Sequence, residues 1–447
     1  MLNLLLSILL LMPIGLSAES ICPITERTFG GKFFDSPSEI ISTVGNGLAV
    51  VGTSSSLSYD GNRQGIWFLR MDSAGDTLFT RYFGGEMRDL LPAKDEGKTT
   101  IQMQDKGFAI AGFYKTEASI PQLWIIRISE NGQMLWSKVL PDKPVPNEPI
   151  FLQCTMDNKI LIVFTVYRGS NVRDDIEAII LDSIGTVIHS EFFGITTTIP
   201  SITYGYSQDA RNLYKIGDTR FRILASHFPD NSSPSILWIF DVDTSLTATN
   251  SRFCEARCSD FVVRTIDNGY LMKLSIAENE PFGGISTSGP RTIIQKADSL
   301  GYVSWFKSYE QASSLYNTRT IAEMRDSSII LTSSIIFHMS SKGGSLLLFS
   351  PDYNSSYSII SILPFCGLSF FVGSRVFDAL ANSYDMQLNK YSLNCTSSVF
   401  AAPLILKSFN NTIQKVHTYS ISGRSISPHS KPMTQFLIKS NKLFLKK

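Results

Sequence analysis

The chain repeats itself about every 55 residues, and a repeat of that length leaves few folds open to it. Thr28-Phe29-Gly30-Gly31 returns 54 residues later as Tyr82-Phe83-Gly84-Gly85, and more faintly as Phe192-Phe193-Gly194. Between such marks runs an apolar stretch closed by an acidic or polar residue and a Gly. Examples are Gly65-Ile66-Trp67-Phe68-Leu69-Arg70-Met71-Asp72-Ser73-Ala74-Gly75, Leu123-Trp124-Ile125-Ile126-Arg127-Ile128-Ser129-Glu130-Asn131-Gly132 and Ala178-Ile179-Ile180-Leu181-Asp182-Ser183-Ile184-Gly185. Looser copies begin at Leu237, Thr292 and Leu346, and the matched acids Asp182, Asp243, Asp298 and Asp352 lie 61, 55 and 54 residues apart.

An earlier turn signal recurs in the same units: Gly45-Asn46-Gly47, Asp105-Lys106-Gly107, Asp157-Asn158 and Asp267-Asn268-Gly269, each ahead of an apolar run. Asn-Gly and Asp-x-Gly tolerate the positive φ of tight hairpins, and β-branched and aromatic residues favour strands. Each unit therefore supplies about four short antiparallel strands, and no helical periodicity competes. Such a unit cannot bury both of its faces alone; it buries them against neighbours around a ring. The expected fold is all-β: a β-propeller of seven four-stranded blades, with six as the alternative count because Leu368–Tyr384 is hard to divide. The last unit, about Ser361–Ser397, is one strand short. The isolated strand Glu26–Gly31 is the piece that can complete it and close the ring.

The run FGG, then D-x-G or N-G, then W-x-x-R/K-x-D-x-x-G resembles the degenerate propeller repeats of exported proteins of Bacteroidetes-type bacteria, over about Thr25–Ser397. That resemblance implies a fold and no activity. Export agrees with the N-terminus. Residues 1–20 carry the short apolar run Leu4–Met12, with Ala18 placed for cleavage after Ser20, as in a secretory signal, an uncleaved anchor being the alternative. No later run reaches the roughly 18 apolar residues of a membrane-spanning helix.

From residue 398 the composition changes, and Val399–Lys447 holds seven Lys and one Arg with no Asp or Glu. Lys415–Ile426, Gln435–Lys439 and Lys442–Lys447 alternate apolar and polar residues, as three short strands do. This tail is similar to the C-terminal sorting domain of type IX secretion substrates, although the Pro-Asn-Pro opening and the Gly-x-Tyr are missing. The resemblance implies that the secretion machinery is a partner and that the protein is secreted or held at the outer cell surface; the periplasm is the alternative. A small basic β-module capping the propeller is the plainer reading. The domain plan is thus 1–20 signal, 21–397 propeller and 398–447 tail module.

Net charge narrows the ligand. With 40 Lys+Arg against 39 Asp+Glu the chain carries +1, without the basic excess that nucleic acid demands. Six cysteines in an exported chain permit disulfides, Cys254 with Cys258 being a local option and Cys366 with Cys395 bracketing one segment. Five scattered histidines and one C-x3-C pair do not make a zinc site. Gly284-Ile285-Ser286-Thr287-Ser288 lacks the closing Gly of a nucleophile elbow and reads as a loop. Asp241-Val242-Asp243 and Asp174-Asp175 read as turn residues ahead of calcium ligands. Phe79, Trp136 and Trp305, each four residues after a turn Gly, read as inter-blade packing, and His189 as a substitution at that position. No catalytic residue, metal ligand or cofactor is assigned. The leading expectation is a propeller that binds a glycan, peptide or matrix component through loops on one face. The alternatives are a carbohydrate-active hydrolase or lyase with catalytic carboxylates dispersed over the blades, and a structural envelope protein.

Overall fold

The computed structural model describes residues 21–393 apart from 59, 89–90, 117–118, 145–148, 167–174, 195–206, 229–234, 258–260, 277–290, 311–319, 333–335, 341–345, 351–357, 365–368 and 379–382, together with 434–439 and 442–444. The expected signal, Asp174, the Gly284–Ser288 loop, Cys258, Cys366, Cys395 and the first expected tail strand lie outside the described residues.

Seven antiparallel sheets follow one another along the chain, and no helix occurs among the described residues. Blade I comprises Asp35–Ser42, Leu48–Ser54, Gly65–Met71 and Thr77–Gly84. Blade II comprises Glu96–Gln102, Phe108–Tyr114, Gln122–Ile128 and Met134–Pro144. Blade III is Ile150–Cys154, Ile160–Val166, Asp175–Leu181 and Val187–Phe193. Blade IV is Ser207–Lys215, Arg220–Phe228, Ile236–Asp243 and Ala248–Arg257. Blade V is Phe261–Arg264, Tyr270–Ile276, Arg291–Ala297 and Val303–Glu310. Blade VI is Thr320–Glu323, Ile329–Thr332, Ile336–Met339 and Leu346–Ser350. Blade VII takes Ser358–Pro364, Ser369–Asp378 and Ser383–Leu393 from the end of the ring, and its fourth strand, Ile21–Phe29, from the beginning.

The first strands of consecutive blades touch in a closed circle, from I through VII and back to I, so they line the axis of a seven-bladed propeller. Closure is the strand exchange expected from the sequence. Ile21 lies opposite Leu393 and Phe29 opposite Met386, and Gln387 Nε2 donates to Glu26 Oε1 at 2.6 Å across 361 residues of chain. Tail residues Thr434–Lys439 and Lys442–Phe444 form a hairpin paired to the fourth strand of blade VI.

The core is distributed between blades. Second strands such as Leu48–Ser54 and Ile160–Val166 are buried at every residue, because both sheet faces are covered by a neighbouring blade. Phe108 and Ile110 of blade II pack with Ala49, Val51 and Phe68 of blade I, and Phe371, Met386 and Leu388 of blade VII pack with Val50 and Trp67. Each large apolar side chain so buried contributes about 1.5–3 kcal/mol.

Two readings from the sequence are corrected. Leu346–Ser350, matched in the sequence with the runs that begin at Leu237 and Thr292, is the fourth strand of blade VI, whereas those two runs are third strands. A short apolar run before Pro-Asp fits any strand of a blade, so it does not reveal which strand it is. Cys254 is a free, buried thiol directed at the Leu300 carbonyl, so it does not bridge to Cys258.

Candidate functional site

The two ends of the ring differ in kind. At one end, first and second strands join through five-residue turns in which Asn46, Lys106, Asn158, Asn268 and Ser327 take φ near 60°. Third and fourth strands join there through turns whose Asp accepts two backbone N–H groups: Asp182 from Ile184 and Thr186, Asp243 from Ser245 and Thr247, Asp298 from Leu300 and Tyr302. These bonds hold the Asp182 carboxyl below the usual range, and Asp243 is lowered first by the Ser245 hydroxyl, which donates to the same oxygen at 2.6 Å, and then by its backbone bonds. Three of the matched acids, Asp182, Asp243 and Asp298, are thus turn acceptors, and Asp352 lies outside the described residues. Asp241, the other half of the Asp241-Val242-Asp243 pair, is buried in a two-point ion pair with Arg222 at 2.7 and 3.0 Å.

The recurrent aromatics belong to this end too. A Cβ added at Gly132, φ +77°, would lie 2.5 Å from the Phe79 ring of the preceding blade, and one at Gly185, φ +85°, 2.9 Å from Trp136. Trp136 also donates its indole N–H to the Ser183 carbonyl at 2.8 Å. These two aromatics are inter-blade packing, as their spacing suggested. His189 is not: it stands exposed on the fourth strand of blade III, and the next blade fills the glycine position with Leu246 at φ 60°.

The opposite end carries every long connection, including 55–64, 85–95 and 115–121, and here first strands begin. In blades I, II, IV and VII the first strand bulges at one shared register position, occupied by Ser38, Lys98, Arg211 and Ile360. A bulge turns a residue out of the ladder's alternation, and bulges recur beside binding sites. Two residues before it stand Glu96 and Asp209. Lys98 Nζ lies 2.6 Å and Lys115 Nζ 2.5 Å from separate oxygens of Glu96, and Arg211 Nη2 lies 2.7 Å from Asp209. All five side chains keep between 13 and 28% of their surface exposed. Blades II and IV thus set matching acid–base pairs at the same place on the mouth.

Environment separates these carboxyls. Burial pushes Glu96 up, but Lys98 and Lys115 outweigh it and hold the group below the usual range. At Asp209 burial outweighs Arg211 and the carboxyl is raised. Glu39, also on the wall, is raised by burial, although Thr99 Oγ1 and the Thr100 N–H donate to it at 2.7 and 2.9 Å.

Outside this wall the FGG marks show their purpose. The second Gly donates its N–H to a buried Asp at the start of the next first strand, Gly31 to Asp35 at 3.0 Å and Gly85 to Asp95 at 3.1 Å. Asp95 also binds Arg88 through both oxygens at 2.7 and 2.6 Å, and the guanidinium stacks 3.5 Å above the Tyr114 ring. Burial, with the Asp95 charge behind it, pushes the nearby Tyr82 hydroxyl up to about 12.

One more position differs between blades. The indoles of Trp67, Trp124 and Trp238 each donate to a hydroxyl thirteen residues on, Thr80, Ser137 and Ser251, at 2.6, 2.7 and 2.9 Å. Blade III has Glu177 there. Ser190, in the matching place, donates to its Oε1 at 2.6 Å, and Lys143 of blade II pairs with the same oxygen.

Sequence reading assigned no catalytic, metal or cofactor residue, and among the described residues no group of three or more His, Cys, Asp and Glu is placed to hold a metal. It passed over Glu39, Glu96, Lys98, Lys115, Asp209, Arg211 and Glu177. The available signal was position: Glu96 and Asp209 align once the blades are superposed on their first turns.

No family model and no curated protein matches the chain. Among solved structures it is similar to the polysaccharide lyase Uly1, at a TM-score of 0.51 and 10% identity over 83% of this chain and 100% of that one. It is also similar to a PL25 ulvan lyase, at 0.47 and 9% over 80% and 95%, and to a protein of unknown function from Dyadobacter fermentans, at 0.45 and 9% over 84% and 99%. At such identity the likeness to Uly1 speaks for the fold.

Proposed function

We propose that this chain is an exported propeller that binds a glycan at the long-connection mouth of its ring. The observation that carries the reading is the repeated, partly exposed pairing of Glu96 with Lys98 and Lys115 and of Asp209 with Arg211. A sugar hydroxyl both donates and accepts, so alternating ammonium, guanidinium and carboxylate groups suit it. A phosphate-rich polymer calls for an unbalanced excess of cations. The neighbour named as a polysaccharide lyase acts on the same ligand class. Residues 1–20 and the basic tail supply the export route, through a cleaved signal and type IX sorting.

A second reading, carbohydrate cleavage at the same mouth, is favoured by the divergent carboxyls, Glu96 lowered against Glu39 and Asp209 raised, as acid–base chemistry requires.

Calorimetric titration of the native protein with neutral and uronate polysaccharides tests both. Lys98→Ala/Lys115→Ala and Arg211→Ala should each weaken binding at least about tenfold, roughly 1.4 kcal/mol, with unchanged circular dichroism. Absence of binding to every polysaccharide overturns the proposal. New reducing ends or unsaturated uronates, lost in Asp209→Asn, would convert the reading to an enzyme. Peptide mapping of surface-shaved protein tests export: residues beyond about 398 should be missing, and a periplasmic protein retaining Lys447 would overturn the sorting route.

A further inference from the structure

Five tight turns at the end of the ring opposite the mouth share one plan, and blade I departs from it at one residue. The third position of the turn is Asp105, Asp157, Asp267 and Asp326 in blades II, III, V and VI, and Gly45 in blade I. The groups that hold the carboxylate in other blades are nevertheless kept. In blade II, Arg127 Nη2 donates to both Asp105 oxygens at 2.5 Å, and the Gly107 N–H donates to one of them at 3.0 Å. In blade V, Lys296 Nζ lies 2.9 Å from one oxygen of Asp267, and the Thr265 hydroxyl donates to the other at 2.5 Å. The Thr155 hydroxyl holds Asp157 in the same way at 2.5 Å. Blade I has Arg70, Gly47 and Thr43 at these three places.

Arg70 is seated as Arg127 is. Its Nη1 donates to the Leu48 carbonyl at 3.0 Å and to the Met71 carbonyl, as Arg127 Nη1 does to Phe108 at 3.1 Å and to Ile128. Its Nη2 has no carboxylate within ion-pairing distance among the described residues. Thr43 is 8% exposed, and its Oγ1 has no hydrogen-bond partner. A buried hydroxyl and a guanidinium without their acceptor are costly to keep. The place of the missing carboxylate is open, since a Cβ at Gly45 meets nothing within 4 Å and residues 44–46 are exposed.

The surroundings select the bearer of the carboxylate. Val44 beside the seat, Met156 and Ile266 at the same turn position, and Ile184 and Leu300 in the second set of turns are each more than half exposed. Aliphatic side chains so displayed suit the surface of another protein, whereas a sugar ring stacks on aromatic faces. The charges of Glu130 and Asp72 also reach Arg70, so a doubly charged phosphate is opposed more strongly than a single carboxylate.

We propose that the turn face of blade I is a protein-docking site, in which an Asp or Glu side chain of the partner takes the seat that Asp105 and Asp267 fill in their own blades. The carboxylate accepts from Arg70 Nη2, the Gly47 N–H and Thr43 Oγ1, and apolar residues flanking it cover Val44. The site lies across the ring from the glycan mouth and does not depend on it.

The test is calorimetric titration of the native protein, at constant ionic strength, with acetyl-Leu-Asp-Leu-amide, its Asn analogue, sodium glucuronate and inorganic phosphate. The Asp peptide should bind at least about tenfold tighter than the Asn peptide, and tighter than glucuronate or phosphate. Gly45→Asp supplies the carboxylate from the turn itself, and Arg70→Ile copies Ile180 of blade III. Each should weaken the Asp peptide at least about tenfold, and either carries the test if the other does not fold. Lys98→Ala/Lys115→Ala should bind it as the wild type does. Equal binding of the two peptides, binding of neither, or wild-type affinity in the seat variants would overturn the site. A preference for glucuronate or phosphate would overturn a protein as its partner. None of these results touches polysaccharide binding at the mouth, which is read separately.

Discussion

Glu39 and Asp241 show two opposite costs of a buried carboxyl. Burial raises the Glu39 carboxyl, and its partners Thr99 and Thr100 bring no charge to offset that. Burial raises Asp241 as well, but Arg222 overrides it and the group is lowered. The signs of the pH dependence differ accordingly. Below neutrality the folded state takes up a proton at Glu39 before the unfolded state does, so this residue adds stability as pH falls through its folded value toward the usual range of about 4.3. Asp241 contributes above its unfolded value and loses that contribution in stronger acid. Glu39→Gln keeps an acceptor for both threonines and removes the charge. It should therefore raise stability at pH 7 and flatten the gain between pH 7 and pH 5, as read by urea unfolding at several pH values; a variant that keeps the wild-type slope would rule this account out. The Asp182 and Asp243 turns were legible in the sequence because an Asp and the amides it caps lie within four residues. Glu39 was not, because its partners lie 60 and 61 residues away, on another blade.

Strands and turns were legible for the same reason of locality, and their order within a blade was less so. The apolar run that marks Leu346–Ser350 as a strand carries no label for third or fourth, whereas the bulge shared by Ser38, Lys98 and Arg211 emerges only from the paired register. Turn glycines test how much an element owes to its neighbour. Gly45 and Gly132 both take positive φ, but a Cβ at Gly45 meets nothing within 4 Å and one at Gly132 meets Phe79. Gly45→Ala should cost about 1 kcal/mol for the backbone alone. Gly132→Ala should cost about 3 kcal/mol once the collision is added. In a double-mutant cycle with Phe79→Ala, thermal unfolding should return a coupling of about 1 kcal/mol between 79 and 132 and none between 79 and 45.

For the whole molecule, the ring and its closure were written in the sequence as a unit lacking a strand and a strand lacking a unit. The blade count waited on the division of Ser369–Asp378 from Ser383–Leu393. Six of the seven third strands hand the chain directly to a fourth; in blade VII that link is missing, and Leu393 meets Ile21 through hydrogen bonds alone. A backbone-cyclised 21–393 chain, with Leu393 joined to Ile21 through Asn-Gly, should gain about 4 kcal/mol over the same chain left linear, because the ring no longer has to find its own end. Calorimetry would show this as a higher single transition, and an unchanged or lower one would argue against the strand exchange. The same arrangement governs biogenesis. Ile21–Phe29 precedes the rest of the ring in synthesis and must wait unpaired until Leu393 follows it, more than 350 residues later. A chain halted anywhere short of that point presents an open sheet edge to proteases, so completion of the polypeptide is itself the checkpoint that separates finished copies from fragments.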